Sequence, residues 1–378
     1  MSLDRSLLSE KLKKYREQFQ ISIAELSEAT GIEIKSLNAY EKEEQTPSGD
    51  EILILSDFYK CDYKFFISNE RLAPFEQTET LFRRHDSDFS KEDRWAIQEF
   101  LFLAECEAYL LQNLQKQQKQ HFSFSKPSPI HKKNGIEAAK ELRRFLNYQF
   151  NVVPMNIYED FRAIGIHTYR RKLNNSKISG LYIKHPVAGK CILINYSEDI
   201  YRQRFTAAHE AAHAILNDDK DDVIVSFKGT SKDYIEVGAN YFASYYLMPP
   251  DFLKKIPDAR VWDQEKALLW ANKLKVSTEA LAYALKNAKL IDKKTEGIIK
   301  AVRVERGLKV DPELSDNFSP KSLNRKKFLM ERGLSSFYVN LCFESYRKNI
   351  ITAARMAEMF LVEQSELYEI ADLYNEVF

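Results

Sequence analysis

Leu7, Leu8, Leu12, Tyr15 and Phe19 recur at the spacing of one helix face between residues 6 and 20. Shorter helical patterns follow at 22–29, 33–44, 48–60 and 62–67, interrupted at Gly31 and Pro47. This predicts a compact five-helix unit ending near residue 70. Beyond an irregular stretch containing Pro74, Ser90 followed by Glu92 and Asp93 has the form of an N-cap. It opens a long helix to about residue 115, with Trp95, Phe100, Leu103, Leu110 and Leu114 along its apolar stripe. Residues 115–134, rich in Gln and Lys and then in Ser and Pro, have the composition of a solvated connector.

The pattern then changes. A helix is predicted at about 136–149, and Ile164–Tyr169, Ile178–Lys184 and Cys191–Asn195 are β-branched or aromatic runs that predict a small, mostly antiparallel sheet. A helix from about Arg202 to Leu216, an acidic loop with Asp218, Asp219, Asp221 and Asp222, and an apolar helix from about 233 to 247 follow, stopped by Pro249 and Pro250. Residues 260–378 are helical in pattern. The expected fold class is α+β, mostly helical. Four segments are expected: a five-helix domain at 1–70, a long helix and linker at 71–134, a domain of helices and a small sheet at 135–290 and a helical region at 291–378.

Length supports that division, since 378 residues exceed one ordinary core. Fifty-six Lys and Arg against fifty-five Asp and Glu leave a formal charge of +1, so charge arguments for nucleic acid or membrane must be local. No run approaches the roughly 18–20 apolar residues that span a bilayer, and the N-terminus is unlike a signal peptide; a cytoplasmic protein without a membrane partner is expected. Cys61, Cys106, Cys191 and Cys342 form no C-x-x-C pair, and reduced packing residues are expected.

One constellation carries chemistry. His209-Glu210-Ala211-Ala212-His213 is an H-E-x-x-H pattern on a predicted helix. Residues i and i+4 share a helix face, so both imidazoles can reach one zinc at about 2.0–2.1 Å. Glu210 projects beside that face, placed to take a proton from water that the metal acidifies toward pKa ~7. A random chain of this size shows the pattern on the order of once in a hundred proteins. Here, however, Phe205 to Ala208 and Ala214 to Leu216 are mostly small or apolar, which predicts a buried helix. Buried polar groups are costly unless satisfied. The bland reading is a pair of histidines satisfied by backbone or carboxylates. For the third ligand, Glu236 in the first turns of the next helix is favoured over Asp219, because the turn position after the motif is Leu216 rather than Gly. A helix-start acid favoured by the helix dipole is the plainer reading of Glu236.

H-E-x-x-H, then Glu236-Val237-Gly238-Ala239-Asn240-Tyr241-Phe242-Ala243 and Leu247-Met248-Pro249, resembles the ImmA/IrrE family of metallopeptidases. Ala139-Lys140-Glu141-Leu142, Ser179-Gly180 and Ile192–Asn195 extend the resemblance upstream, over roughly residues 80–290. The resemblance implies a zinc-dependent endopeptidase that cuts a DNA-bound protein repressor, with His209, His213 and Glu236 as ligands and Glu210 as general base. Ala211 and Ala212 stand where the family often has bulkier side chains, and the acidic loop departs from its pattern. Tyr182, Tyr241 and Tyr245 are candidate oxyanion stabilisers, with core packing the ordinary alternative.

Residues 9–67 resemble an XRE-type helix-turn-helix, with Ile34–Glu44 as recognition helix. The resemblance implies Lys35, Ser36 and Asn38 as contacts to duplex DNA, the bland alternative being that they merely face solvent. Against this, residues 1–70 carry nine Lys and Arg but fourteen Asp and Glu, which leaves little for phosphate neutralisation. Ile23 also replaces the glutamine common in the family, so docking to another helix-turn-helix protein is the rival use. Residues 286–327 hold twelve basic residues against six acidic ones, either a solvated face or a contact to an acidic partner. The rival function is a non-catalytic DNA-binding regulator whose zincin-like domain senses a metal or ligand. A purely structural interaction protein is the third reading.

Overall fold

The computed structural model describes residues 3–69, 81–82, 88–116, 122–149, 151–216, 223–227, 233–314 and 319–378. The chain divides into two compact units, Met1–Glu105 with His185–Val187, and Cys106–Lys184 with Ala188–Phe378.

The first unit begins with helices α1 (Arg5–Gln18), α2 (Ile23–Thr30), α3 (Ile34–Glu41), α4 (Gly49–Tyr59) and α5 (Tyr63–Ile67). Their boundaries follow capping chemistry. Ser22 and Ser48 each close a reciprocal box with the glutamate three residues on, Glu25 and Glu51. Gly31 ends α2 at φ 72°, a left-handed conformation suited to glycine. The predicted five-helix unit is thus present. Its core is aromatic: Tyr15, Phe19, Tyr59 and Phe66 are buried, and Trp95 stacks on Phe19 with ring centroids 4.4 Å apart. Trp95 lies on α6 (Lys91–Asn113), within which the boundary of the two units falls. Ser90 and Asp93 cap it reciprocally, as the spacing predicts.

The second unit continues with α7 (His131–Phe145), α8 (Ile157–Ala163), β1 (His167–Arg171), β2 (Ile178–His185), β3 (Gly189–Asn195), α9 (Ile200–Leu216), β4 (Val223–Phe227), α10 (Tyr234–Leu247) and α11 (Pro250–Leu253). The helices α12 (Gln264–Leu274), α13 (Thr278–Asn287), α14 (Lys293–Lys300), α15 (Pro320–Glu331), α16 (Ser336–Arg347), α17 (Ala353–Phe360) and α18 (Leu367–Tyr374) complete it. Helix α7 starts upstream of the predicted 136–149. Asn134 exchanges hydrogen bonds with the Ser128 backbone and fastens the connector to the first turn, while Asn147 at φ 58° turns the chain out at the end.

The sheet has the order β1-β3-β2-β4. It is mixed: β1 pairs parallel to β3 and β4 antiparallel to β2, while β2 and β3 are joined by a turn too short for a crossover. The edge strand β4 and helix α8 go beyond the predicted elements, because five to seven residues are too few for a periodicity to stand out. A buried charge network ties β1 to residues 311–313. Arg170 reaches Asp311 at 2.7 Å and Glu313 at 2.9 Å, and Arg162 reaches Glu313 at 2.8 Å. Beside it, Glu107 accepts from Tyr169 at 2.6 Å and pairs with His167 at 2.7 Å. All four cysteines are free. Among the described residues no helix is long and apolar enough to cross a membrane.

Candidate metal centre

Helix α9 lies against the sheet on alanines. Ala207, Ala208, Ala211, Ala212 and Ala214 are fully buried, so the Ala-Ala inside the motif packs in the interior of the domain. Arg204, also fully buried, donates to the backbone carbonyls of Pro154, Met155 and Lys275 and anchors the helix. Helix α10 packs beside α9 and against α7. A Cβ at Gly135 of α7 would lie 2.1 Å from the carbonyl oxygen of Gly238, so only glycine permits this approach of α7 to α10. Asp233 caps α10 by accepting from Ile235 N–H, which leaves Glu236 in the first turn.

These supports bring three donors together. Nε2 of His209 and Nε2 of His213 are 3.1 Å apart, and each is 3.1 Å from an oxygen of Glu236. The other nitrogen of His209, Nδ1, sits 3.1 Å from Oδ1 of Asn240. That oxygen only accepts, so Nδ1 carries the proton in neutral His209 and Nε2 presents a lone pair. Lone pairs of imidazole and carboxylate then converge in a buried site. This is the donor chemistry of a zinc site, and one cation would relieve the repulsion. The three residues fit the metal that the motif implies.

The protein's own charges also act on these groups. Burial would push Glu236 up, but its bonds to His209 and His213 hold it well below the usual carboxylate range. Burial would lower His209, and Glu236 and Glu210 more than reverse that. Burial, together with the neighbouring His209, lowers His213. Glu210 is buried and pushed up to about 8 by desolvation, against the opposing pull of His209 and the nearby Ser226 hydroxyl, and neither carboxylate oxygen has a partner in good hydrogen-bond geometry.

His209, Glu210 and Glu236 line a groove of about 1080 Å³. Ser226 and Phe227 of β4, Asn240, Tyr241 and Ser244 of α10, and Thr278, Tyr283 and Asn287 of α13 form further parts of it. Lys300, Arg303 and Lys309 bring the basic segment to the same groove. Of these, Lys300 pairs with Glu296 and Lys309 with Asp199.

Residues 161–286 match the IrrE N-terminal-like domain model of the M78 peptidases. Residues 12–66 match a helix-turn-helix model. None of the curated proteins compared with the chain matches it. The two matches together support a metallopeptidase-like regulator with a DNA-binding type of domain. The IrrE-like region contains all three converging donors and Glu210.

The rival ligand Asp219 and its acidic loop lie outside the described residues. Of the candidate tyrosines, Tyr182 is buried in the core, Tyr241 lines the groove, and Tyr245 is half-buried beside Tyr241. In the helix-turn-helix region Lys35 is exposed on α3, and Ser36 and Asn38 are half-exposed, with Nδ2 of Asn38 donating to the Ile34 carbonyl. Asn240 and Ser226 are additions to the site. Asn240 stands four residues after Glu236, a spacing that places both on one face of α10. Ser226 carries no motif.

Proposed function

We propose that the protein is a zinc-dependent endopeptidase that cleaves a protein repressor and thereby controls transcription. His209, His213 and Glu236 hold the metal, and Glu210 is the general base. The observation that carries this reading is the convergence of two imidazole Nε2 atoms and one carboxylate, with the His209 tautomer set by Asn240. When bound, zinc supplies Lewis-acid polarisation of a peptide carbonyl and acidification of water.

The chain's own residues do the rest. Asn240 holds the His209 ring, and α9 and α10 hold the three donors in place. Glu210, buried beside the two histidines, takes a proton from the attacking water and passes it to the leaving amine nitrogen. The groove is open beside it and large enough for an extended peptide segment. The joining of a helix-turn-helix to a metallopeptidase-like region in one chain supports a repressor as substrate and operator DNA as a partner, through Lys35, Ser36 and Asn38.

Metal analysis of purified protein tests the ligand set, with about one zinc per chain expected. Turnover of β-casein by Glu210→Gln tests the base. The variant should keep its zinc and lose about 10²–10⁴-fold in kcat. Full turnover without metal, or in Glu210→Gln, would refute the proposal.

A further inference from the structure

Strand β4 reads Val223-Ile224-Val225-Ser226-Phe227, a short apolar edge strand with one hydroxyl. Ser226 is buried, and its Oγ has no hydrogen-bond partner. Buried polar atoms without partners are rare and cost stability, so this one calls for a reason. A second, larger case lies next to it, since both carboxylate oxygens of Glu210 are likewise without partners.

Register explains why the two meet. The β2–β4 ladder runs regularly from Ile183 opposite Val223 to Gly180 opposite Ser226, and then shifts between Gly180 and Ile178. Directly opposed residues of an antiparallel pair point to the same face, so Ser226 projects on the face of Gly180. That is the face of α9: a Cβ at Gly180 would lie 2.9 Å from Cγ2 of Thr206 and 3.0 Å from Cγ of Glu210. The missing side chain of Gly180 therefore leaves the space through which the stem of Glu210 passes, toward the residue opposite. Both Glu210 and Ser226 face the groove.

We propose that Ser226 is a positioning residue for Glu210: its hydroxyl donates to one carboxylate oxygen and turns the other toward the attacking water. A carboxylate has two oxygens with separate tasks here. One must be free to take the proton, and the second, held by a neutral donor, fixes the plane of the group without neutralising it. Gly180 and Ser226 then form one device, the glycine giving passage and the serine giving direction. The inference rests on the assignment of Glu210 as base.

Difference infrared spectroscopy on the full-length protein tests the contact directly. The carboxylate stretching band of Glu210 is the one that Glu210→Gln removes, recorded at alkaline pH where the group is ionised. Ser226→Ala should shift that band, and Ser226→Thr, which keeps the hydroxyl, should leave it in place. With zinc and β-casein, Ser226→Ala should lower kcat about tenfold at unchanged KM and unchanged zinc content, and Ser226→Thr should restore most of it. An unmoved band in Ser226→Ala would overturn the proposal, because a serine present only for its size is replaced by alanine without effect. If the wild-type protein with zinc leaves casein intact, the peptidase reading fails, and the band still decides whether Ser226 holds Glu210.

Discussion

The helix-turn-helix region and the IrrE-like region place their polar side chains in opposite ways. In the first, an aromatic core of Tyr15, Phe19, Tyr59 and Phe66 is closed by caps, and Lys35 lies exposed on the surface. Nothing in that core depends on what Lys35 does. In the second, His209, Glu210 and His213 are buried on a helix whose interior face packs into the domain core. Function and stability are separable in one region and fused in the other. A buried histidine pair with a carboxylate is a stability problem until something binds there, whereas an exposed lysine on a helix is no problem at all.

The largest expected effect separates the regions by metal. Zinc at about a thousand times its dissociation constant stabilises the folded state by about 4 kcal/mol. In hydrogen exchange on the full chain, chelation should therefore raise exchange in α9 and α10 and leave residues 5–67 unchanged. Equal loss of protection in both would break the contrast.

A single substitution made in each region sharpens it. Gly135→Ala drives a Cβ into the Gly238 carbonyl and should cost about 3 kcal/mol by urea unfolding, with weaker zinc binding because Glu236 moves with α10. Gly31→Ala meets nothing within 4 Å and bears only the strain of its φ of 72°, about 1 kcal/mol. Equal costs would show that the α7–α10 contact relaxes freely.

A third test uses pH at a contact between the IrrE-like region and the long helix α6. Burial would lower His167, but Glu107 beside it raises it above its ordinary 6.5. Burial would raise Glu107, but His167, with Arg162 and Tyr169, lowers it below its ordinary 4.5. A raised histidine stabilises fully below its unfolded value and stops doing so as pH rises through its folded value; a lowered glutamate stabilises above its unfolded value. The pair is therefore strongest between 4.5 and 6.5. The stability gap between wild type and His167→Gln should be widest there, at about 2 kcal/mol, and should close at alkaline pH. A gap independent of pH would show that His167 is neutral in the folded protein.

The same contrast explains what could be read from residues alone. The five N-terminal helices were legible because each boundary is a local signal, such as Ser22 with Glu25 or Gly31 at a turn. His209, Glu210 and His213 were legible because a helix face fixes their geometry within five residues. Strand β4 was not, since its membership depends on pairing with β2, some forty residues earlier in the chain. Ser226 followed it out of sight: its role depends on standing opposite Gly180, and register is not written in either strand alone. The close approach of Gly135 to Gly238 was hidden in the same way, and so was the network joining Arg170 to Asp311.

The smallest effect concerns Lys35. The region surrounding it carries more acid than base, so binding to duplex DNA, where it occurs, depends on few phosphate contacts. Each such contact contributes about one unit to the slope of log affinity against log salt. Fluorescence anisotropy with a random-sequence duplex should therefore show a shallow salt dependence, which Lys35→Ala lowers by about one unit. Asn38→Ala should leave that slope alone, because a neutral amide reads base edges rather than neutralising phosphate. Stability should stay unchanged in both variants, in contrast to any substitution at His209 or His213. If the wild-type protein shows no salt-dependent binding, α3 is not a DNA reader, and an acidic helix-turn-helix surface of this kind is suited instead to docking a basic protein.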